Sequence, residues 1–314
     1  LRQQFSRNDD SEMTMRVGNA PVSWAVYEAD RPNPPFARVL DEIAAAGYEG
    51  TELGPYGYLP TEPDALRREL TSRRLGLGSS FVPLPLEDAA ARPRSVEAAL
   101  RVGRLLATQG VDEVIIADDE DPARAARAGR IPADGSAGWT DAQWREAVET
   151  LHAAARALRD ELGLRVVVHH HAGTFLETPA EVDRLLAETD PELVNLLLDT
   201  GHATYGGDDA VDVVRRHGRR VRYVHLKDVR TDQLAEVRRS EVPMAAAWAR
   251  GVFCPLGDGL VDFPRVVEAL RSGGYSGWLI VEQDVVPDAN GRLHPEPAQS
   301  ARQSRTYLRE RVGL

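Results

Sequence analysis

Four strand-like runs, each ending in side chains that bind metals or carry protons, constrain this chain more than any other feature. The first reads Arg165-Val166-Val167-Val168-His169-His170-His171 and the second Val194-Asn195-Leu196-Leu197-Leu198-Asp199-Thr200-Gly201-His202. The third reads Val221-Arg222-Tyr223-Val224-His225-Leu226-Lys227-Asp228 and the fourth Gly277-Trp278-Leu279-Ile280-Val281-Glu282-Gln283-Asp284. Buried parallel strands read as continuous apolar runs, and chemistry on parallel α/β folds gathers at the carboxyl ends of strands. His, Asp, His and Glu delivered by four such ends make a divalent-metal site.

The rest of the chain continues the same rhythm. Strand-like segments fall at about residues 15–24, 50–55, 78–84 and 111–117, ahead of the four runs. Helices follow each of the eight: Phe36 to Ala46, 61–75, 94–109, a long one to Leu162 capped by Thr140 or Asp141, one from Pro179, one from Asp208, 262–271 and 297–311. Alternation of this kind means a parallel sheet, and eight units close a barrel. An open sheet would want a phosphate-binding glycine loop after an early strand, and neither G-x-G-x-x-G nor a P-loop stands there. The expected fold is therefore a single (β/α)8 barrel over residues 15–314, with the metal cluster at its C-terminal mouth. Residues 1–14 are expected to form a poorly ordered extension. Two long loops, Pro122 to Trp139 and Val229 to Leu260, have the length of lids or unordered segments.

Composition narrows the partners. A formal net charge of −11 argues against nucleic acid and anionic membrane, both of which want a basic face. No apolar run approaches the roughly 20 residues of a membrane span, and the first residues lack a hydrophobic signal core, so a cytoplasmic protein acting on a small molecule is expected. A homo-oligomer is compatible with that reading. The single cysteine, Cys254, excludes an intrachain disulfide and reads as an ordinary loop residue. Of 38 Lys plus Arg residues only one is lysine, Lys227, two residues beyond His225. An ammonium can shift its pKa and transfer a proton, and a guanidinium effectively cannot, which marks Lys227 for catalysis or substrate contact.

Side chains at i and i+2 of a strand share a face, so His169 and His171 point one way and His170 the other. Imidazole with carboxylate suits Zn, Mn, Co or Fe. Gly201 permits a sharp turn after Asp199, so His202 is expected to reach back to a substrate hydroxyl. Glu52 lies inside the second strand; facing the lumen it is a substrate or supporting group, and facing outward it pairs with an arginine. Asp118 and Asp119 end the fourth strand and read as part of a solvated acidic loop.

Several segments together resemble the inosose dehydratases of inositol catabolism. They are Ala20-Pro21-Val22-Ser23-Trp24, Gly47-Tyr48-Glu49-Gly50-Thr51-Glu52-Leu53-Gly54 and His169-His170-His171-Ala172-Gly173-Thr174-Phe175-Leu176-Glu177-Thr178. Leu198-Asp199-Thr200-Gly201-His202, His225-Leu226-Lys227-Asp228 and Pro255-Leu256-Gly257-Asp258-Gly259 extend the resemblance to about residues 16–285. Its broader parent is the xylose-isomerase-like group of sugar isomerases and epimerases. The resemblance implies one divalent ion, Mn or Co before Zn, Fe or Mg, held by residues matching Asp199, His225 and Glu282. The fourth ligand comes from the fifth strand, with His169 preferred and His171 or Glu177 as alternatives. Trp24, Glu52, His202 and Lys227 are the candidate substrate contacts.

Epimerases of that group resemble one another in using two glutamates, on the fifth and eighth strands, as a proton shuttle. This chain keeps Glu282 but has histidines on the fifth strand. That departure favours loss of water from a cyclic keto-polyol over epimerisation. Glu282 or an imidazole would take the α-proton, and His202, His171 or Lys227 would protonate the leaving hydroxyl. A sugar isomerase or epimerase and a 3-keto-glycoside-cleaving lyase subunit are the alternatives on this scaffold. An endonuclease-IV-like repair enzyme conflicts with the acidic charge, and a non-catalytic binding module with the retained Lys227 and Glu282.

Overall fold

In the computed structural model, which describes residues 14–314, the strand segments close into a barrel. The strands are β1 (Met15–Asn19), β2 (Gly50–Thr51), β3 in two pieces (Gly76–Leu77 and Phe81–Leu84), β4 (Glu113–Asp118), β5 (Arg165–His169), β6 (Val194–Asp199), β7 (Val221–Leu226) and β8 (Gly277–Val281). All neighbours pair in parallel, and β8 returns to β1. The ring closes within β3: its first piece pairs with β2 and its second with β4. Across the break, Gly78 N–H donates to Thr51 O and Ile115 N–H to Ser80 O, so backbone pairing continues around the ring.

Eight helices surround the strands: α1 (Phe36–Ala46), α2 (Pro63–Ser72), α3 (Arg92–Thr108), α4 (Asp141–Leu162), α5 (Pro179–Glu188), α6 (Ala210–His217), α7 (Phe263–Ser272) and α8 (Pro297–Tyr307). Their ends follow local chemistry. Thr140 with Gln143 and Thr178 with Glu181 form capping boxes at the starts of α4 and α5. Gly47 and Gly163 take the left-handed conformation that stops α1 and α4.

Strand alternation sorts the core into two layers. Val114, Ile116, Val166, Val168, Leu196 and Leu198 pack outward against the helices. Ile115, Val167, Leu197, Tyr223, Trp278 and Ile280 fill the lumen. The large indole of Trp278 fits because β2 offers no side chain opposite it: a Cβ at Gly50 would lie 2.2 Å from the Trp278 ring.

The structure departs from the sequence reading at several boundaries. β1 ends at Asn19, and Pro21–Trp24 is a short 3-10 turn, because Pro21 has no N–H to continue a ladder and Ala25 turns left-handed. α8 ends at Tyr307 and passes into a π-helical turn, Leu308–Val312. The loop expected over Val229 to Leu260 carries two helices, Thr231–Ser240 and Met244–Ala249, and a short antiparallel pair, Asp228–Val229 with Phe253–Cys254. This excursion has its own apolar cluster, including Leu234, Val237, Met244 and Phe253. The Asp228 carboxylate anchors its base by accepting from the N–H groups of Val229, Gly257, Gly259 and Val261. The earlier loop, after β4, is tied down by Arg124, whose guanidinium pairs with both Glu181 oxygens at 2.9 Å. The expected extension over residues 1–14 lies outside the described residues except for Thr14, whose carbonyl accepts from Gly277 N–H. No described helix is long and apolar enough to cross a membrane.

Candidate active site

The lumen-facing positions climb each strand in steps of two. Val167 leads to His169 and His171, Leu197 to Asp199, Tyr223 to His225 and Lys227, and Ile280 to Glu282 and Asp284. Apolar side chains thus fill the lower lumen while the same faces end in polar groups at the mouth. One ligand atom each from His169, Asp199, His225 and Glu282 lies within 4.8 Å of the others, and all four residues are buried.

The unpaired atoms of this cluster fit a cation. Asp199 Oδ2 and His225 Nδ1 are buried without hydrogen-bond partners, which is costly unless a ligand satisfies them. Asp199 Oδ2 lies 3.5 Å from His169 Nε2 and 3.6 Å from His225 Nδ1, and Glu282 Oε2 is 3.2 Å from His225 Nδ1. Burial opposes ionisation of Asp199 and Glu282, yet both carboxyls are held below their usual range: Asp199 chiefly by Lys227 and His202, Glu282 by His225 and Lys227. Burial lowers the His225 pKa, but Glu282 and Glu52 more than reverse it. A pocket that draws positive charge this strongly, with two imidazoles and two carboxylates, suits a divalent metal ion. Glu177 takes no part. Its two oxygens accept from Gly129 N–H and Gly173 N–H, fastening the loop after β5.

Lys227 sits beside this cluster, 1 % exposed. Its Nζ donates to Asp284 Oδ2 at 2.8 Å and lies 3.1 Å from Glu282 Oε2 and 3.3 Å from Asp199 Oδ2. Burial works against the ammonium, but Asp199, Asp284 and Glu282 raise its pKa well above the ordinary value. Space for its stem comes from Gly201, where a Cβ would lie 2.6 Å from Lys227 Cγ.

His171 also borders the cavity. Its Nδ1 lies 2.7 Å from its neighbour's carbonyl, Ala172 O, to which it donates, leaving Nε2 as the acceptor nitrogen. Burial pushes His170 and His171 down to about 3, so both rings are neutral. His170 is turned away from the cavity, and its Nε2 accepts from Asp199 N–H at 3.2 Å. We expect His170→Ala to leave that buried N–H unpaired and lower stability by about 1–3 kcal/mol, read as a shifted denaturant midpoint. Alanine at His169 or His171 should instead cut turnover far more than it cuts stability.

Two expected substrate contacts do not reach the cavity. His202 is fully buried behind His171, with ring centroids 3.8 Å apart, and its Nε2 is 3.0 Å from Lys227 Nζ. The reason is local: Asp199 Oδ1 caps the helix Thr200–Gly206 through His202 N–H, which folds the histidine inward. Trp24 turns outward from the 3-10 turn into the strand–helix layer, and its Nε1 donates to Glu42 Oε2 at 2.6 Å. Glu52 faces the lumen and contacts a histidine: its Oε1 lies 2.9 Å from His225 Nε2.

A cavity of about 530 Å³ opens over the cluster, walled by His169, His171, Lys227, Glu282, Phe81 and Trp248. Sequence reading missed three of its groups. Asp284 was legible as the next lumen-facing position after Glu282. Trp248 comes from the excursion after β7, where spacing gives no signal. Asp118 looked like part of a solvated loop, but it is 3 % exposed and accepts from Phe175 N–H at 3.1 Å. Burial, with Glu87 and Asp119 nearby, pushes its carboxyl up to about 8. The folded chain therefore holds a proton there that the unfolded chain releases near pH 4. Through this group stability falls as pH rises from about 4 to about 8 and is level above that. Asp118→Asn should remove this slope, so its stability relative to the parent should improve across that window in denaturant titrations.

Known proteins are similar to this chain in sequence and fold. Residues 40–311 match the family described as xylose isomerase-like TIM barrel. An inosose dehydratase of Geobacillus kaustophilus (strain HTA426) is 37 % identical over 279 residues, 87 % of this chain and 88 % of the relative. One from Lacticaseibacillus casei is 32 % identical, covering 94 % of this chain and 97 % of the relative. Among solved structures, the probable 3-DHS dehydratase AsbF of Bacillus anthracis superposes with a TM-score of 0.72 at 16 % identity, covering 95 % of this chain and 100 % of its own. The IOLI protein with a bound zinc atom superposes with a TM-score of 0.69 at 14 % identity, covering 95 % and 98 %. At those identities the superpositions establish the fold, while the sequence relatives carry the assignment further: this chain is a member of the inosose dehydratase family, built on the xylose isomerase-like barrel.

Proposed function

We propose that this protein is a metal-dependent hydro-lyase that removes water from a cyclic keto-polyol such as scyllo-inosose. The observation that carries the reading is the pairing of a buried His/Asp/His/Glu cluster with a buried lysine at the mouth of one cavity. Family membership supports the reaction class, since the sequence relatives are inosose dehydratases. His169, Asp199, His225 and Glu282 would hold the ion, with Mn or Co preferred. When bound, the ion supplies Lewis-acid stabilisation for charge developing on a ketone oxygen, worth several kcal/mol.

The chain's own residues do the rest. Glu282, or His171 through the Nε2 left as its acceptor nitrogen once Nδ1 donates to Ala172 O, takes the proton from the carbon beside the ketone. Lys227, held protonated by Asp284 and Glu282, donates a proton to the hydroxyl on the next carbon. The C–H and C–O bonds break, a C=C bond forms, and water leaves; the resulting enol tautomerises to a cyclic dione. His202 and Asp284 hold the Lys227 ammonium in place. Trp248 and Phe81 supply apolar walls that limit water at the reacting carbons.

Incubating purified, Mn-loaded protein with scyllo-inosose in D₂O tests the reading. A dehydratase yields a product lighter by one water. An epimerase returns an isomer of unchanged composition carrying deuterium at the inverted carbon, and that isomer without any dione would overturn the proposal.

A further inference from the structure

We propose that Glu52 is a positioning residue: it reaches across the lumen from the end of β2 to fix the tautomer of His225, so that Nδ1 is the nitrogen presented to the metal. The inference concerns the metal-site half of the proposed function and does not depend on which polyol is the substrate.

A carboxylate accepts hydrogen bonds and does not donate them. With Glu52 Oε1 2.9 Å from His225 Nε2, Nε2 therefore keeps its proton and donates the hydrogen bond. Nδ1 is then the ring nitrogen left to bind a metal ion, and it has no hydrogen-bond partner among the other ligands. It faces Glu282 Oε2 at 3.2 Å and Asp199 Oδ2 at 3.6 Å. Both members of the pair are buried, with side chains 1 % and 4 % exposed, so water does not compete for Nε2. Of the two roles open to a lumen-facing Glu52, substrate contact and support of another group, this geometry favours support.

The two histidine ligands differ in this respect. His169 Nδ1 has no partner and its Nε2 faces Asp199, itself a ligand. Its ring packs roughly perpendicular to Phe81, at a centroid distance of 5.7 Å, and among the described residues no carboxylate outside the ligand set pairs with it. Among the described contacts of the four ligands, the Glu52–His225 bond is the one that both orients an imidazole and raises its basicity. Outer partners of this kind typically contribute about 10–100-fold to metal affinity.

Metal affinity, measured by competition with a chelating dye, tests this on the full chain, together with the visible spectrum of the Co(II)-loaded protein. Glu52→Ala should weaken Mn(II) and Co(II) binding by about 10–100-fold and shift the Co(II) bands. Glu52→Gln keeps an acceptor but not the charge, and should recover part of the loss. That variant also covers the case in which the alanine protein folds poorly. Parental affinity and spectrum in Glu52→Gln and Glu52→Ala, with KM for scyllo-inosose raised, would overturn the proposal and return Glu52 to substrate contact. Because the readout is metal binding, it stands or falls separately from the dehydration reading: absence of dione formation by the parent leaves the affinity comparison intact.

Discussion

Lys227→Arg is expected to lower kcat by about 10²–10⁴-fold, the usual range for losing a general acid, while leaving metal content unchanged. Arginine keeps the positive charge that Asp284, Glu282 and Asp199 surround at 2.8, 3.1 and 3.3 Å. It does not give up a proton near neutrality. Charge retention matters, because an apolar replacement would strand three buried carboxylates without a counter-ion and confuse folding with chemistry. Gly201→Ala approaches the same group from behind: its Cβ would meet the lysine stem at 2.6 Å and push it from its station, so a smaller fall in kcat is expected there. Single-turnover kinetics and thermal unfolding measure both. If Lys227→Arg keeps turnover within tenfold of the parent, the lysine is an electrostatic anchor and the proton comes from another group.

Asp199→Asn should empty the metal centre. Asp199 Oδ2 lies among His169, His225 and Lys227 without a hydrogen-bond partner. Losing a ligand of that centrality should weaken binding by more than the roughly 10–100-fold cost of losing an outer partner. Asparagine retains an oxygen for the His202 N–H that Asp199 Oδ1 now accepts, so the turn into the next helix should survive. Elemental analysis of protein purified in parallel with the parent supplies the measurement, and equal metal content in both would end the assignment of Asp199 as a ligand.

Barrel class and the lumen-facing phase of His169, His171, Asp199, His225 and Glu282 were legible in the sequence, because strand side chains alternate with period two and apolar runs mark strands buried on both faces. The same rule applied to Glu282 reaches Asp284, which is also the partner of Lys227. Where the rule stops, at the end of each strand, the reading weakened. Trp24 and His202 were placed at the substrate, but a 3-10 turn directs one outward and a helix cap folds the other inward. Asp118 was assigned to solvent because acidic loops usually lie there, and it is buried under the loop that follows β5.

The sequence by itself therefore determined the local periods: which segments are strands, which side of each faces the lumen, and which metal-capable side chains crown that side. Only the tertiary structure decided the partners of those side chains. Glu52 and His225 are 173 positions apart, and Lys227 and Asp284 are 57 apart. Trp248 reaches the cavity from an excursion with its own apolar cluster. Alternation along a strand is a property of the backbone and is visible one residue at a time. Pairing across a closed barrel depends on register and strand curvature summed around the whole ring, which no local stretch encodes.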